Sequence, residues 1–176
     1  MSAASQVPAV IDYLVATCQA SPAFGPVPVA GAIAPVPVVV TDGPNVTEDV
    51  MANQRLLWIG YDRTNPGEVA GTTALDWPNL DMARTVDEDG EITCSAEFWS
   101  GDTTVKTNRD GCAAIVTAVS ELLKGTPVTG GPGDTTMGGL CFWSRVSASA
   151  WAQQQKSTGA TVLCVFKIAY RARLTD

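Results

Sequence analysis

The chain has 176 residues, 45% apolar and 16% charged, with a net charge of −7 and a pI near 4.4. That length and composition fit a single domain over residues 1–176 with a real hydrophobic core, and exclude wholesale disorder. The 11 basic residues are scattered among 18 acidic ones, which disfavours tight binding to nucleic acid or to an anionic membrane, since both need clustered Lys and Arg.

The first expected element is an amphipathic helix over residues 5–18. Ser5 can cap it, Pro8 falls in the first turn, and Val7, Val10, Ile11, Leu14 and Cys18 share a face. Asp12 interrupts this apolar stretch and no basic region precedes it, so a signal peptide is not expected. Residues 19–35, rich in Pro, Gly and Ala, should be irregular. The longest apolar run, Pro26 to Val40, contains Pro26, Pro28, Pro35 and Pro37, which argue against a membrane helix.

Pro37–Thr41 reads as a short strand ended by the Asp42-Gly43 turn. Arg55–Tyr61 is a second strand, apolar on both faces through Leu56, Leu57, Trp58 and Ile59, and so expected inside the sheet. Residues 62–90 show no period and are expected to form a long acidic loop, a plausible docking element because it holds Trp77, Leu80 and Met82. Glu91–Trp99 alternates: Ile92, Cys94, Ala96 and Phe98 to one side, Glu91, Thr93, Ser95 and Glu97 to the other, a half-buried strand.

Residues 108–124 give the strongest helix signal, with Thr107 as N-cap, Asp110 in an acidic capping box, and a stripe of Cys112, Ile115, Val116, Val119, Leu122 and Leu123. Gly125 and Pro127 should end it. A flexible Gly-rich loop at 125–139 is expected next. Two closing strands, Leu140–Ser149 and Ala160–Leu174, should pair as a hairpin through a polar turn at 153–159. In the last strand Val162 to Leu174 place alternate residues on a core face, with Lys167, Arg171 and Arg173 opposite.

Chemistry is sparse. There is no histidine, the commonest general base and metal ligand. Cys18, Cys94, Cys112, Cys141 and Cys164 are dispersed and odd in number, and read as reduced small hydrophobes. The segment Thr129–Asp134 lacks the Lys-Ser/Thr ending of a phosphate loop, and Pro132 removes an N–H. Asp87–Glu91 lacks the downstream Glu of a calcium loop and reads as a solvated hairpin tip. Neither that cluster nor Asp76 with Asp81 has an apolar pocket to separate paired carboxylate pKa values. No catalytic residue, cofactor site or metal site is assigned.

Trp99, Trp143 and Trp151 fall opposite the core-facing sets of their strands, with Arg145 two residues from Trp143. Two readings stay open: a second layer in which the N-terminal helix covers that face, or a subunit interface, where Trp and Arg are enriched.

The order of pieces runs helix, Pro-rich link, "PVVVTDGP", "RLLWIGYD", long loop, "EITCSAEFWSGD", the Arg109-led helix "NRDGCAAIVTAVSELL", and a final strand ending "VLCVFKIAYRARL". Over nearly its whole length this resembles the tail terminator proteins of siphophages, including many from phages of actinobacteria. The resemblance implies an α/β (α+β) domain, with a mixed, mainly antiparallel sheet of four to five strands and two main helices packed on it. It also implies a hexameric ring that caps the tail tube, stops its polymerisation and forms the joint to the head connector. Its partners would be identical copies, the major tail tube protein and a head–tail connector or stopper protein, with no membrane. The product would be made in the host cytoplasm and located in the virion tail or neck. DNA would pass through the lumen unbound; six copies at −7 each carry about −42, which repels phosphate. The interface residues proposed on this reading are Trp77, Leu80, Met82 and Arg84 in the long loop, with Trp99, Trp143 and Arg145 on the strands. The alternatives are another neck or head–tail joining protein, and, from a different class, a small-ligand binding module or an enzyme that works without histidine.

Overall fold

The computed structural model describes residues 5–29, 32–44, 54–67, 70–76, 85–101, 104–124, 133–156 and 159–175. Helix α1, Val7–Ala20, carries Pro8 in its first turn and buries the stripe Val10, Ile11, Leu14 and Cys18. The Pro-rich link that follows is tied down by backbone bonds between Val27 and Val36 and from Val38 N–H to the Phe24 carbonyl. Strands β1 (Val39–Asp42), β2 (Gln54–Ile59), β3 (Gly71–Asp76) and β4 (Thr85–Ser100) come next, then helix α2 (Val105–Leu122) and strands β5 (Trp143–Lys156) and β6 (Gly159–Thr175).

The six strands form one mixed sheet in the order β1-β2-β4-β6-β5, with β3 also on β4. The long strand β4 pairs with β6 along its whole length, from Thr85↔Thr175 to Ser100↔Ala160. On its other edge β4 is shared: β2 takes Cys94–Trp99 and β3 takes Asp87–Ile92. Only β1 and β2 run parallel among the described pairs; the rest are antiparallel. This is the expected α+β arrangement with two helices, but with six strands and not four to five. The strand that escaped notice is β3. Its sequence, Gly-Thr-Thr-Ala-Leu-Asp, is exposed from Thr72 to Asp76, so no buried face imprints an alternating pattern. Together with the early start of β4, it occupies much of the stretch expected to be a loop at 62–90.

Both helices lie on one face of the sheet. That face is built from Ile92, Cys94, Ala96 and Phe98 of β4 and from every second residue of β6, Ala160 to Leu174, all buried. Phe98 lies beneath Gly111 of α2, where a Cβ would fall 2.5 Å from its ring, so glycine lets the helix approach. Ile11 of α1 packs at Gly60, next to β2, and Gln6 N–H donates to Glu88 Oε1 of β4 (3.1 Å). The N-terminal helix therefore does not cover the second face. Asn108, fully buried, locks the start of α2: its Oδ1 accepts from Ser100 Oγ (2.6 Å) and its Nδ2 donates to the Ala160 carbonyl (2.5 Å). This helix begins three residues earlier than the sequence signal, with Thr104 as its N-cap instead of Thr107 and without a side-chain capping bond.

Between α2 and β5, residues 133–142 are a defined turn. Asp134 Oδ1 accepts from Thr136 N–H (2.7 Å) and Thr136 Oγ1 (2.6 Å), and Asp134 Oδ2 accepts from Gly138 N–H (2.6 Å). Met137 is driven into the core at φ 51°. This described part of the Gly-rich stretch is thus pinned; 125–132 lie outside the described residues. The hairpin strands run on to Lys156 and from Gly159, so most of the expected polar turn is strand.

Candidate functional site

The face without helices is the candidate site. Cross-strand register sets out its side chains in rows. One row runs Ala74, Asp89, Arg171, Trp143 across β3, β4, β6 and β5. Asp87–Glu91, expected at a hairpin tip, thus lie mid-strand, where carboxylates alternate between the two faces. Asp87, Asp89 and Glu91 meet cations on the open face. Asp87 Oδ1 accepts from Arg173 Nε (2.8 Å) and its Oδ2 from Arg171 (3.2 Å); Arg171 also reaches Asp89 (3.4 Å) and Asp76 (3.5 Å). The Arg173 and Arg171 hydrogen bonds hold the Asp87 carboxyl below the ordinary carboxylate range, against a smaller opposing effect of desolvation. Lys167 pairs with Glu91 (3.1 Å).

Glu88, on the helix side, is fully buried, and its Oε1 accepts from Tyr170 Oη (2.6 Å). Burial and the neighbouring carboxylate push the Tyr170 hydroxyl well above its usual range, so it stays a donor.

The other half of the open face is partly roofed by residues 61–66. Asp62 Oδ1 accepts from Thr64 N–H (2.7 Å) and Asn65 N–H (3.2 Å), shaping the loop. Ser95 Oγ donates to the Tyr61 carbonyl (2.9 Å) and accepts from Arg63 N–H (3.0 Å). Arg63 stacks 4.9 Å from the Trp58 ring centroid and pairs with Glu97 (2.7 Å). That cover explains why Thr93, Ser95 and Glu97 are buried despite lying on the polar side of the strand. Desolvation raises the Glu97 carboxyl, with Arg63 pulling the other way. An open groove of about 670 Å³ lies between this roof and Gln153 and Gln154 of β5; another of about 410 Å³ runs between Trp143 and β3.

Of the proposed interface residues, Trp143 and Arg145 come together at the sheet edge, the guanidinium 5.3 Å from the ring centroid. Trp99 shares their face but stands opposite Thr161, while Trp143 stands opposite Arg171. Ten residues of strand separate those rows, about 33 Å. Trp77, Leu80, Met82 and Arg84 lie outside the described residues. Trp151 does not share the open face. A bulge between Val146 and Ala148 shifts the register, placing Trp151 opposite Cys164 on the helix side, still 42% exposed. Sequence reasoning missed the Trp58–Arg63–Glu97 cluster and the Asp87–Arg171–Arg173 network, because both depend on strand register. It also passed over Phe142, 50% exposed and 5.1 Å from the Arg173 guanidinium.

The thiols are buried, and burial pushes those of Cys18, Cys94 and Cys112 up to about 12 and those of Cys141 and Cys164 to about 11. They behave as small hydrophobes. No cluster of His, Cys, Asp and Glu among the described residues is placed to hold a metal ion, and no described helix is long and apolar enough to cross a membrane. The arrangement offers contact surface: aromatic rings under guanidinium groups, ion-paired strands and an open sheet edge. No protein-family model matches the chain, and neither does any curated protein.

Proposed function

We propose that this chain is a virion structural protein, the terminator that caps the tail tube of a long-tailed bacteriophage as a ring. The ring stops tube polymerisation and presents a joint to the head connector. The observation that carries the reading is the rim of large apolar side chains on a sheet otherwise well packed on its helix side. Phe142, just before β5, and Trp143 and Trp151 within it are 38–50% exposed along one sheet edge, where neighbouring subunits would cover them. The order of elements that resembles tail terminators supports the same reading, and the acidic charge suits a lumen through which DNA slides.

Two measurements test this. Size-exclusion chromatography with light scattering should give a closed assembly of about six copies, visible as rings by electron microscopy. Added to polymerising tail tube protein, the rings should bind tube ends and halt growth. Rings that leave tube length unchanged would reject the cap and favour another neck protein; a monomer that binds a small ligand would favour the binding-module reading.

A further inference from the structure

We infer that the sheet edge formed by Ala148–Gln154 of β5 takes up β3 of a second copy of this chain as an added antiparallel strand. The inference rests on the ring assembly proposed above and specifies how its subunits join.

The sheet has three borders: β1, β3 and β5. The β1 border is protected. That strand has four residues, follows Pro35 and Pro37, and its Val40 carbonyl accepts a hydrogen bond from the Gln19 side chain (3.1 Å). The other two are open: among the described residues, β5 pairs only with β6, and β3 only with β4.

Proteins blunt such borders with proline, charge or short length, because unpaired backbone groups recruit other strands. Strand β5 is 14 residues long. From Ser147 to Gln154 it reads Ser-Ala-Ser-Ala-Trp-Ala-Gln-Gln, exposed throughout, with no proline and no charge. The bulge at Ser147 is its one blunting device, and it leaves the stretch beyond regular.

Charge points to a second copy as the occupant. Two chains of net −7 repel, yet β5 contains no carboxylate and carries Arg145. The β3 border is equally plain, exposed from Thr72 to Asp76, and its one charge is Asp76. The two borders therefore match in chemistry and oppose in sign. They also match in direction. From β3 to β4, β4 to β6 and β6 to β5 the chain reverses three times, so β3 and β5 are antiparallel. Copies repeated in the same sense then meet in an antiparallel ladder, and the contact is head-to-tail, the kind that generates rings. Pairing β5 with another β5 would be a two-fold contact that closes at two copies and builds no ring.

The test uses the full chain with Ala74→Cys and Ala150→Cys, both on the open side of the sheet, separately and together, treated with a short bismaleimide linker and run on a denaturing gel. The five native thiols are buried, so wild type gives the baseline. The expected result is a ladder of linked subunits from the double variant and no ladder from either single one. A linked dimer from Ala150→Cys alone would overturn the head-to-tail pairing. An absent ladder from a double variant that light scattering shows to be assembled would overturn the edge inference and leave the ring standing. A double variant and wild type that are both monomeric at high concentration would overturn both.

Discussion

The two faces of the sheet are made from the same strands and differ in almost everything else. On the helix side, alternate residues of β4 and β6 are closed over by α1 and α2, and buried polar side chains bond within that layer: Asn108 to Ser100 and Ala160, Glu88 Oε1 to Tyr170. On the open side the same strands hold ion pairs, cation–aromatic stacks and a partial loop roof. The contrast teaches that one side fixes the fold while the other is available for contact. Substitutions should separate the two.

The largest effect is expected at Phe166, buried at the centre of β6. Phe166→Ala should cost about 4 kcal/mol in chemical denaturation, through lost burial and the cavity left behind. Gly90→Ala comes next. A Cβ there would intrude into the Tyr170 ring, so about 3 kcal/mol of overpacking strain is expected in the same assay. Asn108→Ala, which leaves Ser100 and the Ala160 carbonyl without their buried partner, should cost about 2 kcal/mol.

On the open side the effects shrink and turn on pH. Because Asp87 titrates below its ordinary value in the folded state, its stabilisation is complete above about pH 4 and is lost as pH falls from there through its folded value. Glu97 has the opposite sign: its folded value is raised, so acidification to that value begins to protonate the native state and adds stability. Melting curves over an acid series should show Asp87→Asn weakening the acid sensitivity and Glu97→Gln increasing it. The smallest effect is Lys167→Ala, whose exposed pair with Glu91 should contribute no more than about 0.5 kcal/mol. If the open-side substitutions destabilised the subunit as much as Phe166→Ala, the division of labour between the faces would fail.

Much of the helix side was legible from the sequence, because burial on one face imprints a period. The stripe of α1, the alternation Ile92–Phe98 and the run Val162–Leu174 all fell where expected. The open side was not legible. Strand β3 is held by backbone pairing with β4, and its exposed side chains record no face. Asp87 and Asp89 looked like a turn until the register placed them beside Arg171 and Arg173. The burial of Ser95 and Glu97 arises from a loop more than thirty positions earlier, a contact without local trace. Of the candidate residues, only the Trp143–Arg145 pair could be read from spacing, since a separation of two along a strand keeps side chains on one face.

Ser147 acts as a pivot. Trp143 and Trp151 are an even number of positions apart, which in a regular strand would point both indoles the same way. The additional residue between Val146 and Ala148 rolls the far half of the strand over, so the two indoles look to opposite sides. Deleting Ser147 would swing Trp151 to the open side and exchange the outlooks of Ala150 and Ser149. One small side chain thereby sets the handedness of the decoration along the molecule's longest bare border.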